Sequence, residues 1–180
     1  LLIAITSIHA QQGWQNLNTS FGGGEIYFKN MNTGIISGYK TINAGNNWYS
    51  INFGGYMSFP DQNTGYSTGG GQIFKTTNFG ENYVMQNNPS GLILNDISFP
   101  NVNTGYACGE SGKTVKTING GDNWFIVSNP LNINYYLYSI QFTDSETGYV
   151  SGVTYFRDTS VFMKTTNGGS NWNVQYYLPS

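Results

Sequence analysis

Lys164-Thr165-Thr166-Asn167-Gly168-Gly169-Ser170-Asn171-Trp172 is the last of four copies of one stretch. The others run from Lys40 to Trp48, from Lys75 to Tyr83 and from Lys116 to Trp124. All fit Thr-x-Asn-x-Gly-x-x-aromatic. The fixed positions are Thr41, Asn43, Gly45 and Trp48; Thr76, Asn78, Gly80 and Tyr83; Thr117, Asn119, Gly121 and Trp124; Thr165, Asn167, Gly169 and Trp172. Upstream of each copy stands an apolar-x-Phe, a short polar turn and Thr-Gly. The anchors Phe28, Phe59, Phe99 and Phe142 recur at intervals of 31, 40 and 43 residues. A period of that size means repeated supersecondary units, each unable to bury its apolar face alone.

Within the third unit the turn residues cut out four short strands. Asp96 to Phe99 reads as strand A, Tyr106 to Gly109 as B, Lys113 to Thr117 as C and Trp124 to Val127 as D. Pro, Asn and Gly between them each favour bends. Short strands at this density are all-β, and four per unit is one blade of a propeller. In the repeat loop, the Thr hydroxyl and the Asn amide can bond nearby main chain and hold a turn without a helix. Gly two residues after the Asn supplies positive φ. The aromatic that follows is expected to be buried between neighbouring sheets in all four units. Lys40, Lys75, Lys116 and Lys164 end strand C, and read as charges that keep an edge strand soluble.

Composition narrows the function. The 180 residues are 9% charged, with net charge -2, which leaves no nucleic-acid or membrane-surface footprint. Aromatic content of 16% argues against disorder. The single cysteine, Cys108, rules out an internal disulfide framework. The single histidine, His9, stands between an apolar run, Leu1 to Ile8, and Ala10. That run reads as the remnant of a signal peptide over residues 1–10, too short for a membrane span. The expected mature chain is a secreted or cell-surface protein of bacterial style, with a periplasmic location as the variant.

The repeat resembles the Asp-box, or BNR, repeat of β-propellers, and over residues 14–180 it is most like the photosystem II assembly-factor type. It is more loosely similar to sortilin-type and sialidase repeats. Asn43, Asn78, Asn119 and Asn167 stand where the family often has Asp, Tyr83 replaces a Trp, and Ala44 and Phe79 each replace a Gly. The resemblance implies an open arc of about four four-stranded blades from a propeller of about seven. The units are roughly 24–52, 53–88, 93–129 and 135–177, with an extra N-terminal strand at 13–18. Further blades are expected beyond Ser180. The first unit is short between Phe28 and Trp48, which predicts a stunted B–C hairpin.

In such blades the A–B and C–D connections share one face, the B–C and D–A connections the other. The first face keeps its loop lengths and reads as scaffold. Length varies on the second, where function usually sits. Tyr135, Tyr136 and Tyr138 in the longest D–A stretch, with Tyr155, Phe156 and Arg157 in the expanded fourth B–C segment, are the candidate ligand platform for a sugar or an extended peptide. The bland alternative is core contacts of strand A plus ordinary exposed aromatics.

Catalysis finds little to work with. A sialidase needs an arginine cluster for the substrate carboxylate, and Arg157 is the only arginine. A mature chain without histidine has no Ser/His/Asp or Cys/His system. No metal-ligand spacing and no cofactor motif occurs. A two-carboxylate glycosidase needs only two acids across a cleft, and xyloglucanase-like propellers bear this repeat, but no acid pair is marked. The sequence therefore predicts a non-enzymatic binding or scaffolding module for a protein or glycan partner. By resemblance, the assembly factors hold a protein partner. The alternative is a piece of a glycoside hydrolase whose catalytic residues lie outside this chain.

Overall fold

The computed structural model describes residues 25–127, 135–156 and 159–179. The expected leader, the strand at 13–18 and Arg157 lie outside these residues. Apart from one 3-10 turn at Glu110–Gly112, every regular element described is a strand. The strands form four antiparallel sheets, each a four-strand meander in chain order. Blade 1 holds β1 (Ile26–Phe28), β2 (Gly34–Ile36), β3 (Tyr39–Thr41) and β4 (Tyr49–Ser50). Blade 2 holds β5 (Tyr56–Ser58), β6 (Gly65–Gly69), β7 (Gln72–Thr76) and β8 (Val84–Gln86). Blade 3 holds β9 (Leu94–Ser98), β10 (Gly105–Gly109), β11 (Thr114–Thr117) and β12 (Phe125–Val127). Blade 4 holds β13 (Tyr135–Phe142), β14 (Gly148–Thr154), β15 (Thr159–Thr165) and β16 (Asn173–Pro179). The blade 1 B–C hairpin is stunted: β2 and β3 are joined by Ser37 and Gly38 alone, both at positive φ. In blade 3, strand A starts two residues earlier than expected, because Leu94 pairs with Gly109 beyond a bulge.

Buried side chains fall into three clusters, one per blade junction. One joins Ile35 of blade 1 to Phe53, Met57 and Phe79. The next joins Tyr66 and Ile73 of blade 2 to Leu94, Ile97, Phe99 and Trp124 of blade 3. The third joins Tyr106 and Cys108 of blade 3 to Leu137, Ile140, Phe142 and Met163 of blade 4. The units thus share their cores between neighbours, as a repeat that cannot bury its own face requires.

The repeat loop is built as its residues dictate. In all four copies the Thr hydroxyl accepts the Gly N–H at 2.9–3.0 Å and donates to the Asn Oδ1. That Asn Oδ1 also accepts the N–H four residues on, at 2.9–3.0 Å. A second turn, missed in the sequence, repeats just before each Thr-Gly. Asn30, Asp61, Asn101 and Asp144 each accept two backbone N–H groups through Oδ1. Its sequence signal is an Asn or Asp three residues before the Thr.

The glycine of Thr-Gly has a different reason than a turn. A Cβ on Gly34, Gly65, Gly105 or Gly148 would sit 2.2–2.8 Å from the ring of the anchor Phe on the paired strand. The anchor ring therefore lies across a glycine in every blade.

The closing aromatics are not equivalent. Trp124 and Trp172 are buried, and each meets its own anchor Phe edge-on. Tyr83 is 41% exposed instead. Phe79 occupies the space against anchor Phe59, at 5.0 Å between centroids, and Tyr83 packs on Phe74 and Phe53. Trp48 is half-buried. The expectation of four buried equivalents holds for two.

Candidate functional site

The face bearing the A–B and C–D loops is occupied by scaffolding. Within each blade the residue after the repeat Asn donates its N–H to the A–B loop. These bonds are Ala44 to Asn32, Phe79 to Asn63, Gly120 to Asn103 and Gly168 to Glu146, at 2.8–2.9 Å. The carbonyl of that same residue accepts the strand-C lysine of the preceding blade. Lys40 reaches Phe79 O at 3.1 Å, Lys75 reaches Gly120 O at 2.6 Å and Lys116 reaches Gly168 O at 2.9 Å. The solubiliser reading of these lysines is corrected. Strand C is third of four and not an edge, so its lysine reaches the next blade. Lys40 is buried and ion-paired with Glu81, whose carboxyl is held below its usual range by that lysine.

The opposite face is open. Between blades 1 and 2, a groove of about 480 Å³ runs past Ser37, Gly38, Asn52, Gly54, Gly55 and Gly69. Between blades 2 and 3, its counterpart of about 560 Å³ is lined by Gly70, Gly71, Gln72, Met85, Gln86 and Ile93, among others. Both lie where a B–C turn meets the next D–A connection. The glycines leave the floor clear of side chains: a Cβ on Gly38, Gly69, Gly70 or Gly91 would meet nothing within 4 Å. Asn88 fixes the second groove, donating to Gly71 O and Leu92 O at 2.8 and 2.9 Å. Met85 and Ile93 are exposed at its rim.

The predicted aromatic platform is partly assembled. Tyr136 stacks against Tyr155 at 5.8 Å and lies near-parallel to Tyr138 at 6.5 Å. Phe156, 83% exposed, meets Tyr155 edge-on at 5.6 Å. Tyr135 does not belong: it is buried in the core between blades 3 and 4, because strand alternation turns it to the opposite side from Tyr136. Tyr138, two residues on, shares the Tyr136 side of the strand and lines the outer flank of the sheet, and the bulge that follows it turns Ser139 outward as well. The sequence missed the glycine-lined grooves. Their signal was the Gly70-Gly71 pair and the clustered amides from Gln86 to Asn88.

Two carboxylates sit on strand A or beside it. Asp96 is buried, and burial pushes its carboxyl above the usual range. The opposing contacts are N–H donors of Ile140 and Ile97 and the Ser139 hydroxyl. Half-buried Glu25 accepts the Met57 N–H and is likewise raised by burial, with a smaller push from Asp96. Both carboxylates tie their blade to the next one. Cys108 is buried with its thiol pushed well up by burial, so it is no nucleophile. Among the described residues no three His, Cys, Asp or Glu side chains gather as a metal site. No helix described is long and apolar enough to cross a membrane.

The fold has solved relatives. A structure of YCF48 bound to D1 peptide is similar at a TM-score of 0.56 and 21% identity, over 66% of this chain and 38% of that one. YCF48 from Cyanidioschyzon merolae is similar at 0.51 and 22%, over 65% of this chain and 34% of that one. A GH74 xyloglucanase from Xanthomonas campestris reaches 0.62 at 12% identity, over 77% of this chain and 26% of that one. At such identities the likeness is one of fold. This chain spans little more than a third of the YCF48 structures. No curated protein sequence matches it. The model of the photosynthesis system II assembly factor YCF48 family matches residues 85–178. With four repeat loops built to one plan and that match over just more than half its length, the chain belongs to the YCF48 family of BNR-repeat β-propellers.

Proposed function

We propose that this chain is a protein-binding scaffold that takes an extended segment of a partner protein on the face bearing the B–C and D–A connections. The observation that carries this reading is the pair of glycine-lined grooves at successive blade junctions. Grooves clear of side chains at Gly38, Gly69 and Gly70 leave room for an extended peptide, and a few apolar contacts, here Met85 and Ile93, add affinity. The opposite face has its loop groups bonded to one another. Family membership supports the reading, as does a similar structure of YCF48 with a D1 peptide.

Fluorescence anisotropy with labelled extended peptides, the D1 peptide among them, tests it. Met85→Asp and Ile93→Asp alter exposed side chains, and each should weaken binding about tenfold or more, about 1.4 kcal/mol. Ile118→Asp, on the opposite face, should leave it unchanged. Equal effects from all three overturn the proposal.

A glycan partner is the second reading, favoured by the stacked Tyr136 and Tyr155 rings with Phe156 beside them. Tyr155→Ala would then abolish signal on a glycan array and spare peptide binding at the grooves. Action outside the cytoplasm is proposed from the apolar run ending at Ile8 and from Ala10. A mature N-terminus at Gln11 by mass spectrometry is the expected result.

A further inference from the structure

The two grooves flank one turn. Gly69 lines the first, and Gly70 and Gly71, the next residues along the chain, line the second. This turn joins β6 to β7 of blade 2 and carries no side chain. A Cβ on Gly69 or Gly70 would meet nothing within 4 Å, so the crossing from groove to groove is clear at both positions. Past the second groove stands the B–C turn of blade 3, Glu110–Gly112, held to the groove wall by the Glu110 N–H on Ile93 O at 3.0 Å. Both junctions lie inside the arc, with a blade on each side.

Charge is kept off this path. No Asp, Glu, Lys or Arg lines either groove. Loop charges gather instead on the opposite face, where the A–B and C–D loops carry Lys29, Asp61, Glu81, Asp122, Asp144 and Glu146. On the groove face the described loops carry charge at Glu110 and Lys113 of the blade 3 turn, while Glu25 is tied to the Met57 N–H. In place of charge the second groove offers amides. Among the described residues the side chains of Gln72, Gln86 and Asn87 make no hydrogen bond, and each brings both a donor and an acceptor. The neighbouring Asn88 is occupied with the walls, donating to Gly71 O and Leu92 O and accepting the Ser90 N–H at 3.0 Å.

We propose, resting on the reading of this face as a peptide site, that the two grooves are one site continuous across the Gly69-Gly70-Gly71 turn, and that it takes a single extended segment of a partner protein with no charged side chain along this path. Gln72, Gln86 and Asn87 bond the segment's main-chain N–H and C=O groups, and Met85 and Ile93 take its apolar side chains. A charged side chain laid in the path loses water and finds no opposite charge. Exclusion of charge, more than any one attractive contact, then sets specificity.

Phage display of random peptides of about twelve residues, long enough when extended to cross both junctions, is run against the whole chain. A selected peptide is then measured by fluorescence anisotropy. Selected sequences should share a centre free of Asp, Glu, Lys and Arg. Raising salt from about 0.05 M to about 0.5 M should change Kd by less than about twofold, since no ion pair is there to be screened. Gly69→Trp sets a ring on the crossing, at a position with ordinary φ and open space, and should weaken binding about tenfold or more. Asn52→Asp in the first groove and Gln72→Glu in the second, both at exposed positions, should each weaken that same peptide about threefold or more with the thermal midpoint unchanged. Charges shared among the selected peptides, or a Kd that climbs steeply with salt, overturn the uncharged segment. A peptide lost in Met85→Asp but indifferent to Gly69→Trp and Asn52→Asp sits in one groove alone, which overturns the continuous site and leaves the peptide-binding face standing. A library that yields no peptide, or peptides lost equally in Ile118→Asp, defeats that face and the proposal with it.

Discussion

Lys116 Nζ donates to the Gly168 carbonyl at 2.9 Å across the junction of blades 3 and 4. The same lysine lies 5.1 Å from the centroid of Tyr106, whose hydroxyl donates to Ser145 O at 2.7 Å. Charge, ring and loop carbonyls are thereby joined in one inter-blade contact. Lys116→Met keeps the apolar stem and removes the donor. A hydrogen bond from a charged group is worth about 1.5–3 kcal/mol, so a loss of that order is expected in urea unfolding. Lys164→Met should cost clearly less, because that lysine lies over Tyr149 and no carbonyl acceptor for it occurs among the described residues.

Gly105→Ala should be among the most damaging single-methyl additions. The new Cβ would lie 2.2 Å from Cζ of Phe99. Phe99 is itself stacked on Tyr66 at 3.6 Å, so its ring has nowhere to retreat. A loss of about 1–3 kcal/mol or more is expected. Phe99→Leu in the same chain should recover part of it, a coupling that a double-mutant cycle in thermal denaturation would expose. Additive losses would contradict the packing described.

Closing aromatics should split by blade. Trp124→Ala removes a side chain that is 6% exposed and should cost about 3–5 kcal/mol. Tyr83→Ala should cost clearly less, because Phe79 holds the inner position in that blade. Phe79→Ala should show the larger loss. Chemical denaturation midpoints of the three variants provide the comparison.

Stability should pass through a maximum in mildly acidic solution. Asp96 and Glu25 have folded-state pKa values above their unfolded ones, chiefly through burial. Their contribution is full below the unfolded carboxylate pKa, about 4, and is lost as pH rises through the folded values. Glu81, held by Lys40, and Asp144, held by the N–H groups of Thr147 and Glu146, have lowered values. Theirs is present above the unfolded pKa and lost as pH falls through the folded values. Urea midpoints from pH 7 downward should therefore rise, then fall below about pH 4. A monotonic fall from pH 7 would contradict the burial of Asp96.

Much of the scaffold was legible because it is local. Thr41 and Asn43 bond to main chain within a few residues, so their pattern in the sequence is their pattern in the loop. Contacts between blades were not legible in that way. Lys116 and Gly168 are 52 residues apart, and strand position alone gave no hint that the lysine points to the next sheet. Blade 1 shows the same limit. Ile35 replaces the tyrosine of Thr-Gly-Tyr, and Tyr27, its partner across the strand pair, supplies the ring for Phe59 instead. The candidate site was half legible. Tyr136, Tyr155 and Phe156 come together, whereas strand alternation removes Tyr135 to the core. The glycine-lined grooves come from turn geometry at two adjoining blades, which no single stretch encodes.

Three of the strand-C lysines, Lys40, Lys75 and Lys116, donate to main chain, and the residue that carries the acceptor is Phe79 in one blade and glycine in two others. This one contact is therefore independent of which side chain the neighbour carries at the acceptor position, whereas the stacked rings and the Lys40–Glu81 pair at the same junctions are not. The lysine contact thus survives any change of side chain at its acceptor, so a blade that keeps the Tyr, Phe and Lys positions keeps its fit to the next. The divergence between the loops Lys75 to Tyr83 and Lys164 to Trp172 is then no strain on the contact, and the side chain at the acceptor position is left free to take other work, as Phe79 does against Phe59.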